Sequence, residues 1–206
     1  MADIVTRPLQ ADDLDRVAAI HCAAFSTSPL TLLGREAVRR YYAWLLGGPH
    51  DVTAVGAFSS GQCVGFSFGG VFRGAMTGFL KRNRVYLGLR VLSHPWLLAR
   101  APFRSRLWQG LRILGRRQKK PGPAPSATPS FGILSIAVDP AWQGSGAASA
   151  LMRESESAAV RLGFRQMHLT VHPENARAVR FYEKSGWRRH PEGPTWSGSF
   201  RRSLGA

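Results

Sequence analysis

A glycine-rich turn lies between an apolar run and a helical pattern in the second half of the chain. The run, Ile133–Val138, suits a buried strand, and Asp139-Pro140 ends it. The first N–H groups of a helix have no intrahelical partner, and the helix dipole adds partial positive charge there. Glycines let a phosphate come close to the backbone. The turn therefore predicts an anion site formed by Gln143, Gly144, Ser145, Gly146, Ala147 and Ala148.

The spacing of this turn does not match the common nucleotide-binding loops. A Walker loop continues with Lys-Ser or Lys-Thr after its last glycine, and neither dipeptide follows Gly146. A Rossmann fingerprint needs an acidic residue about 20 positions further on, whereas Glu154 and Glu156 fall inside the following helix. The turn alone does not identify its ligand, and the segment that follows decides the interpretation.

A strand and a short helix come after the turn and its helix. Gln166–Val171 reads as a strand, and Asn175 is placed to begin a helix over Ala176–Lys184. Gly186 suits the left-handed end of that helix, and Trp187 then enters a further strand.

Together these two segments closely resemble the GNAT N-acetyltransferase superfamily. The family's Gln/Arg-x-x-Gly-x-Gly/Ala turn is matched by Gln143, Gly146 and Ala148. Its Asn-x-x-Ala-x-x-Phe-Tyr-x-x-x-Gly-Phe segment is matched by Asn175, Ala178, Phe181, Tyr182, Gly186 and Trp187. The resemblance covers residues 131–190 and, more weakly, residues 1–70.

The resemblance implies a fold class and a donor. The fold would be α/β, a GNAT fold with a mixed, mostly antiparallel central sheet of about six or seven strands flanked by helices. Acetyl-CoA would be the donor, with its pyrophosphate on the glycine turn. A backbone N–H near Ala137 or Val138 could act as oxyanion donor. Asn175 would contact the pantetheine arm, with simple helix capping as the alternative. The arm would run, where two strands splay, along Ile136, Ala137 and Val138.

The resemblance also implies a general acid, Tyr182, for the CoA thiolate. A phenol is protonated at neutral pH and can donate without tuning, and packing beside Phe181 is the alternative role. His172, at the end of its strand, is the candidate general base, because histidine ordinarily titrates near neutral pH. His21 and Glu36 are the other residues considered for that role.

The first 70 residues predict a strand, two helices and a β-hairpin. Ile4–Leu9 alternates, apolar residues recur at helical spacing between Leu14 and Phe25, and Arg35–Leu46 suits a second helix. In this family the loop between the first two helices commonly borders the acceptor. The candidate substrate-binding residues, for which a core position is the alternative, are Phe25, Tyr41 and Tyr42.

Residues 72–130 depart from the family pattern as a basic helical insertion with a Pro-rich linker, Pro121–Pro129. No acidic residue lies between Asp51 and Asp139, and that interval holds 13 of the 28 Lys and Arg residues. Phe79–Leu98 and Phe103–Leu114 have amphipathic helical patterns. The insertion could leave a solvated basic face, shape a pocket for an anionic acceptor, or lie on a membrane. No recognisable motif supports a nucleic-acid partner.

Length and composition fit a single domain, residues 1–206, in the cytoplasm. The chain is 44% hydrophobic, which is enough for a full core. Its start lacks a basic head followed by an apolar run, and no stretch of about 18 apolar residues could span a membrane. Cys22 and Cys63 lack metal-ligand spacing, so free thiols and no metal are expected.

The predicted function is transfer of an acetyl group from acetyl-CoA to a primary amine of a small molecule or amino sugar, by direct attack in a ternary complex. Protein N-terminal or lysine acetylation is the enzymatic alternative, against which the basic insertion argues mildly through like-charge repulsion. A non-catalytic acyl-CoA-binding or membrane-surface protein is the alternative of another class. Peripheral membrane contact and a homodimer are left open.

Overall fold

The computed structural model describes residues 3–72, 74–99 and 130–205, apart from the side chain of Leu98. Its contacts group the chain into two compact units. The first combines the described residues of 1–9, 51–72 and 128–206, and the second those of 10–50 and 73–127. A single domain over residues 1–206 stays a prediction, and the predicted helix Phe103–Leu114 and linker Pro121–Pro129 lie outside the described residues.

The first unit is built on one sheet of seven strands in the order β1-β2-β3-β4-β5-β7-β6. Neighbouring strands are antiparallel except β4 and β5, which are parallel. The predicted mixed, mostly antiparallel sheet is confirmed. The strands are β1 (Val5–Pro8), β2 (Asp51–Ser59), β3 (Gln62–Val71), β4 (Phe131–Val138), β5 (Gln166–Thr170), β6 (Arg188–Arg189) and β7 (Ser199–Ser203).

Two helices of this unit directly follow the parallel strands. Helix α6 (Ala147–Arg161) comes after β4, and helix α7 (Ala176–Lys184) comes after β5. Their apolar residues share one core with the strands, in which Phe131, Met167 and Phe200 are fully buried. Truncating an aromatic residue of such a core to alanine costs about 3–5 kcal/mol, so this core fixes both helices against β4 and β5.

An ion pair and a helix-end contact further attach β7 to both helices. Arg202 lies 2.9 Å from the Glu156 carboxylate of α6 and donates to the backbone oxygen of Ser185, which ends α7. Burial raises the pKa of the Glu156 carboxyl, while the charge of Arg202 lowers it. The guanidinium therefore helps to keep this half-buried carboxyl ionised.

A turn separates the last two strands. Strand β6 begins at Arg188, directly after Trp187, at which the sequence pattern predicts the start of a strand. A turn with a hydrogen bond from Trp196 N to Gly193 O then precedes β7. Gly198 has φ +101°, and a Cβ there would lie 2.0 Å from the backbone oxygen of Val171. The chain thus enters β7 only after this close backbone approach.

The second unit is helical. Tyr42, Leu45 and Phe79 are among its fully buried residues. The predicted helical character of the insertion is confirmed for its described part by α4 and α5. In the described ranges, no helix is long and apolar enough to cross a bilayer. The helices are α1 (Leu14–Ala24), α2 (Pro29–Leu32), α3 (Arg35–Gly47), α4 (Ala75–Arg82) and α5 (Arg84–Ser93), with a 3-10 turn at Pro95–Ala99.

Candidate active site

Strands β4 and β5 part after a short parallel pairing. Phe131, Gly132 and Ile133 are the residues of β4 in register with β5. Strand β4 nevertheless continues to Val138 and stays in register with β3 up to that residue. The register of β4 with β5 therefore ends at Ile133, and an extended ligand can pair with a strand edge where two strands part in this way.

A β-bulge marks the point where the strands part. Phe68 is in register with Ser135 and Gly69 with Ile133, so Leu134 is an extra residue on β4. The Leu134 side chain is 40% exposed, whereas Ile133 is 7% exposed. Bulges disrupt the ladder locally and re-aim backbone groups. The sequence reasoning missed Leu134, since nothing in the apolar run 133–138 distinguishes it from its neighbours.

The glycine turn has the conformation that an anion site needs. Gly144 and Gly146 have φ values of 89° and 91°, and Gly146 is the N-cap of α6. A Cβ built on either glycine meets no atom within 4 Å, so the space beside the turn is open. Ser145 Oγ donates to Trp142 O at 2.7 Å and accepts from Ala147 N at 3.4 Å, which braces the turn.

The two sequence motifs meet at one edge of the sheet. Because β4 and β5 are parallel, the helices that follow them both begin at the carboxyl edge. Arg177, in the first turn of α7, donates a hydrogen bond to Gln143 Oε1 of the glycine turn. A guanidinium thus lies beside two helix N-termini, and all three favour negative charge.

Asn175 caps α7, since its side-chain oxygen accepts from Ala178 N at 3.1 Å. This is the capping role that the sequence analysis gave as an alternative. The amide group also carries N–H donors, so capping is compatible with the predicted contact to a pantetheine arm.

Tyr182 lies in α7 and is 8% exposed. Its ring centroid lies 5.4 Å from that of Phe181, 6.1 Å from that of Trp187 and 5.7 Å from that of Phe200. Burial raises the pKa of the Tyr182 phenol to about 12. The hydroxyl is therefore protonated throughout the physiological pH range, and Tyr182 is both a packed aromatic and an available hydrogen-bond donor.

His172 lies between β5 and α7 with 73% of its side chain exposed. Its Nδ1 atom is 3.9 Å from the Glu174 carboxylate, which is itself 90% exposed. The backbone oxygen of His172 accepts from Asn175 N at 2.9 Å, so the residue belongs to the turn that leads into α7.

The candidate acceptor residues all belong to the helical unit. Tyr41 and Tyr42 are 7% and 0% exposed, and Tyr41 packs edge-on against Phe79. Burial raises the pKa of Tyr41 to about 12. Phe25 is half-buried and packs edge-on against the ring of His21. These positions favour a core role for the two tyrosines, and a substrate contact by any of the three stays a prediction.

His21 and Glu36 are both engaged within the helical unit. His21 Nδ1 lies 2.8 Å from the Tyr42 hydroxyl, and burial lowers the pKa of His21 to about 4. Such a low pKa makes His21 a poor proton acceptor for an ammonium group. Glu36 pairs with Arg39 and Arg40, and the hydrogen bond from Arg39 is the largest cause that lowers its pKa.

Solved structures similar to this chain define its fold class. One is the PaiA N-acetyltransferase from Thermoplasma acidophilum in complex with coenzyme A, with 12% identity over 98% of this chain and 99% of that chain and a TM-score of 0.58. Another, a GNAT family acetyltransferase from Brucella melitensis in complex with acetyl-CoA, shares 13% identity over 100% and 91% of the two chains, with a TM-score of 0.54. A ribosomal-protein alanine N-acetyltransferase from Escherichia coli shares 15% identity over 99% and 96%, with a TM-score of 0.56. The fold is the GNAT fold, as predicted.

Sequence comparison points to the same family. Residues 108–187, which are less than half of the chain, match the model of the acetyltransferase (GNAT) family, so the predicted resemblance is confirmed. A relative named mycothiol acetyltransferase, from Geodermatophilus obscurus, is 38% identical over 93 residues, which are 43% of this chain and 30% of that protein. The chain thus aligns with less than a third of that relative's length. These matches support acyltransferase activity.

The glycine turn can be tested at Ser149, the third residue of α6, which is exposed. Gly146 itself is not chosen for the test, because any side chain there would strain its left-handed backbone. We expect Ser149→Glu to keep or raise the free energy of unfolding, because acidic residues stabilise helix N-termini. The same carboxylate should weaken acetyl-CoA binding roughly tenfold or more by repelling the pyrophosphate.

Calorimetric titration with acetyl-CoA and chemical denaturation measure the two quantities. Ser149→Gln is the matched control, because it adds similar bulk without charge. Equal affinity of parent, Ser149→Glu and Ser149→Gln would mean that the pyrophosphate does not bind at this turn.

Burial of His21 generates a pH-dependence prediction. Its folded-state pKa of about 4 lies below the ordinary 6.5, so the unfolded chain takes up the proton first as pH falls. The contribution of His21 to the free energy of unfolding is fully present above pH 6.5 and is lost as pH falls from there towards 4. We expect this contribution to decrease by about 2 kcal/mol between about pH 7.5 and about pH 5.

Urea denaturation at both pH values checks this expectation. His21→Gln should show a smaller loss of stability than the parent, because glutamine does not titrate. His172→Gln is the control and should keep the parent's loss, since His172 is 73% exposed. An equal loss of stability in the parent and in His21→Gln would contradict the assignment of this pH dependence to His21.

Proposed function

We propose that the protein is an N-acetyltransferase that transfers the acetyl group of acetyl-CoA to a primary amine of a small molecule or amino sugar. The observation that carries the proposal is the meeting of the parted strands with the glycine turn and the start of α7. The proposal also includes a cytoplasmic location, a homodimer and peripheral membrane contact. The geometry of the site does not bear on these three features.

The donor would bind through the amide groups of its pantetheine arm and through its pyrophosphate. The pantetheine arm contains amide groups, which can pair with the edge of β4 along Ile136, Ala137 and Val138, as an additional strand would. The pyrophosphate would accept hydrogen bonds from the N–H groups at the start of α6. Arg177 already contacts Gln143, so its guanidinium can add charge-assisted bonds to the same phosphates.

The reaction proposed is direct attack in a ternary complex. The nitrogen of the neutral amine forms a bond to the thioester carbonyl carbon, and the carbonyl oxygen becomes an oxyanion. Collapse of this intermediate breaks the C–S bond, releases CoA as the thiolate and leaves an amide after loss of the nitrogen's proton. Backbone N–H groups of β4 between Leu134 and Val138 are the candidate oxyanion donors.

Tyr182 would stabilise the thiolate as a hydrogen-bond donor. A thiol ionises with a pKa of about 8.5, so complete proton transfer from a phenol with a pKa of about 12 would be uphill by about 5 kcal/mol. A short hydrogen bond to the thiolate does not incur that cost. The proton that finally reaches sulfur would come from the amine or from water, and Tyr182 would lower the barrier to C–S cleavage.

His172 is the candidate acceptor of the amine's proton. It follows β5 at the carboxyl edge of the sheet, and its exposure lets it exchange protons with solvent. The Glu174 carboxylate lies 3.9 Å from its Nδ1 atom. Water could replace it in this role, so we expect His172→Gln to reduce the rate less than a change at Tyr182.

Two observations bear on the class of acceptor. The sequence relative is named as an acetyltransferase of mycothiol rather than of a protein, which favours a small molecule. The net charge of +16 disfavours a lysine-rich peptide through like-charge repulsion. Protein acetylation is the second candidate, favoured only by the fold likeness to the ribosomal-protein alanine N-acetyltransferase.

The decisive experiment separates donor binding from transfer. Acetyl-CoA is titrated calorimetrically, and release of the CoA thiol is then followed with a panel of amines, amino sugars and peptides. We expect micromolar donor binding and amine-dependent thiol release with at least one small amine. Binding without release for any amine would support a non-catalytic acyl-CoA-binding protein, and absence of binding would overturn the donor assignment.

Tyr182→Phe tests the hydrogen-bond donor. Phenylalanine keeps the ring contacts with Phe181, Trp187 and Phe200, so the free energy of unfolding should change by only about 1 kcal/mol. We expect kcat to fall roughly 10–100-fold, because a hydrogen bond to a charged group such as the thiolate contributes about 1.5–3 kcal/mol, with an unchanged Kd for acetyl-CoA.

Steady-state kinetics and calorimetry measure these quantities. Phe181→Leu is a control for disturbed packing, because it alters the ring neighbour and leaves the phenol in place. If Tyr182→Phe retains the parent's kcat, Tyr182 has only its packing role.

A further inference from the structure

Helix α5 and the 3-10 turn after it carry a stripe of exposed apolar side chains. Val85, Leu89 and Leu92 are 68%, 62% and 77% exposed, and Trp96 is 49% exposed. The spacing of four and three residues places Val85, Leu89 and Leu92 along one face of α5, and Trp96 follows in the 3-10 turn. We call these four residues the apolar stripe. Exposed apolar residues are ordinary singly, whereas a continuous stripe marks an interaction surface.

The other side of α5 is attached to the helical unit. Arg90 Nε donates to the backbone oxygen of Leu33 at 2.8 Å, and its guanidinium lies against Gly34. The ring of Tyr86 packs under the guanidinium of Arg40 at 4.4 Å. Helix α5 is therefore held to the helical unit through Tyr86 and Arg90, which do not belong to the apolar stripe.

The charge around the stripe has one sign. Residues 74–99 contain Lys81, Arg82, Arg84 and Arg90, and they contain no acidic residue. Lys81 and Arg84 are exposed, on either side of the junction between α4 and α5. A partner for this surface must thus accept apolar side chains and be negatively charged at the same place.

We propose that the apolar stripe and its basic neighbours dock on the surface of a membrane that contains anionic lipids, with α5 lying in the interfacial plane. Leucine and valine would enter the acyl boundary, tryptophan suits the headgroup level, and Lys81 and Arg84 would contact lipid phosphates. A helix of ten residues is about 15 Å long, too short to span a bilayer. The proposal is independent of the acetyl-transfer function.

The alternatives fit these residues less well. A second copy of the chain on this face would bring two basic surfaces together, which repels. A nucleic acid would match the charge but would not bury the aliphatic side chains Val85, Leu89 and Leu92. An anionic bilayer supplies both chemistries in one surface.

Sedimentation with vesicles tests the proposal on the full chain. Vesicles of phosphatidylcholine alone and with phosphatidylglycerol are used at low and high salt. We expect the parent to sediment with the anionic vesicles, less at high salt, and Leu89→Glu/Leu92→Glu to bind on the order of tenfold or more weakly. The matched control is Val160→Glu/Leu162→Glu, which changes two exposed apolar residues of the sheet unit by the same charge.

The control should bind like the parent. If both double variants bind equally weakly, net charge alone governs binding and the assignment of the stripe is overturned. It is likewise overturned if the parent does not sediment. Size-exclusion chromatography with light scattering completes the test, because a parent dimer that Leu89→Glu/Leu92→Glu dissociates, without vesicle binding, would assign the face to self-association.

Discussion

The parting of β4 from β5 is the constraint on which the candidate site depends. Backbone N–H and C=O groups need hydrogen-bond partners, and the pairing of β4 with β5 ends at Ile133, beyond which the two strands have separate edges. A bulge at Leu134 begins this open edge. The parallel pairing that precedes it also decides where α6 and α7 begin, since each helix follows one of the two parallel strands. The open edge, the glycine turn and Arg177 are thus consequences of one topological feature, and they come together without any long-range sequence signal.

Local chemistry explains why much of this arrangement was predictable. Gly146 and Gly186 have positive φ values at the start of α6 and after α7, and Asn175 caps α7, as their residue types indicate. The hairpin β2–β3 turns at Ser60 and Gly61, both with positive φ, between two strands that the apolar pattern indicates. These features depend on neighbours within a few residues. The sequence contains them in full.

Features that depend on distant pairing were not predictable in the same way. Leu134 becomes a bulge only because Phe68 and Gly69 pair around it. Tyr41 and Tyr42 look alike in sequence whether they line a pocket or fill a core, and their burial depends on packing partners such as Phe79, which is distant in sequence. Strand β7 begins directly after the close approach of Gly198 to Val171 O. In each case the deciding neighbour is remote in sequence.

Burial shifts the pKa values of two candidate groups in opposite directions, and the two shifts differ in their consequence for catalysis. It keeps the Tyr182 phenol protonated, with a pKa of about 12, and it keeps His21 unprotonated, with a pKa of about 4. A protonated phenol can donate to a developing thiolate, whereas an imidazole of such low basicity cannot remove a proton from an ammonium group. Tyr182 also lies on α7, whose first turn contacts the glycine turn. His21, by contrast, is hydrogen-bonded to the Tyr42 hydroxyl within the helical unit.

The excess of positive charge cannot be explained by the donor site alone. A pyrophosphate at a glycine turn is bound mainly by backbone N–H groups, with Arg177 as the cation that already contacts the turn. The interval from Asp51 to Asp139 nevertheless holds 13 Lys and Arg residues without a carboxylate. Concentrated charge of one sign destabilises a compact state by self-repulsion. Residues 74–99 of this interval also expose the apolar stripe. Water stabilises exposed basic side chains but not exposed apolar ones. An anionic lipid surface stabilises both kinds of side chain on one surface.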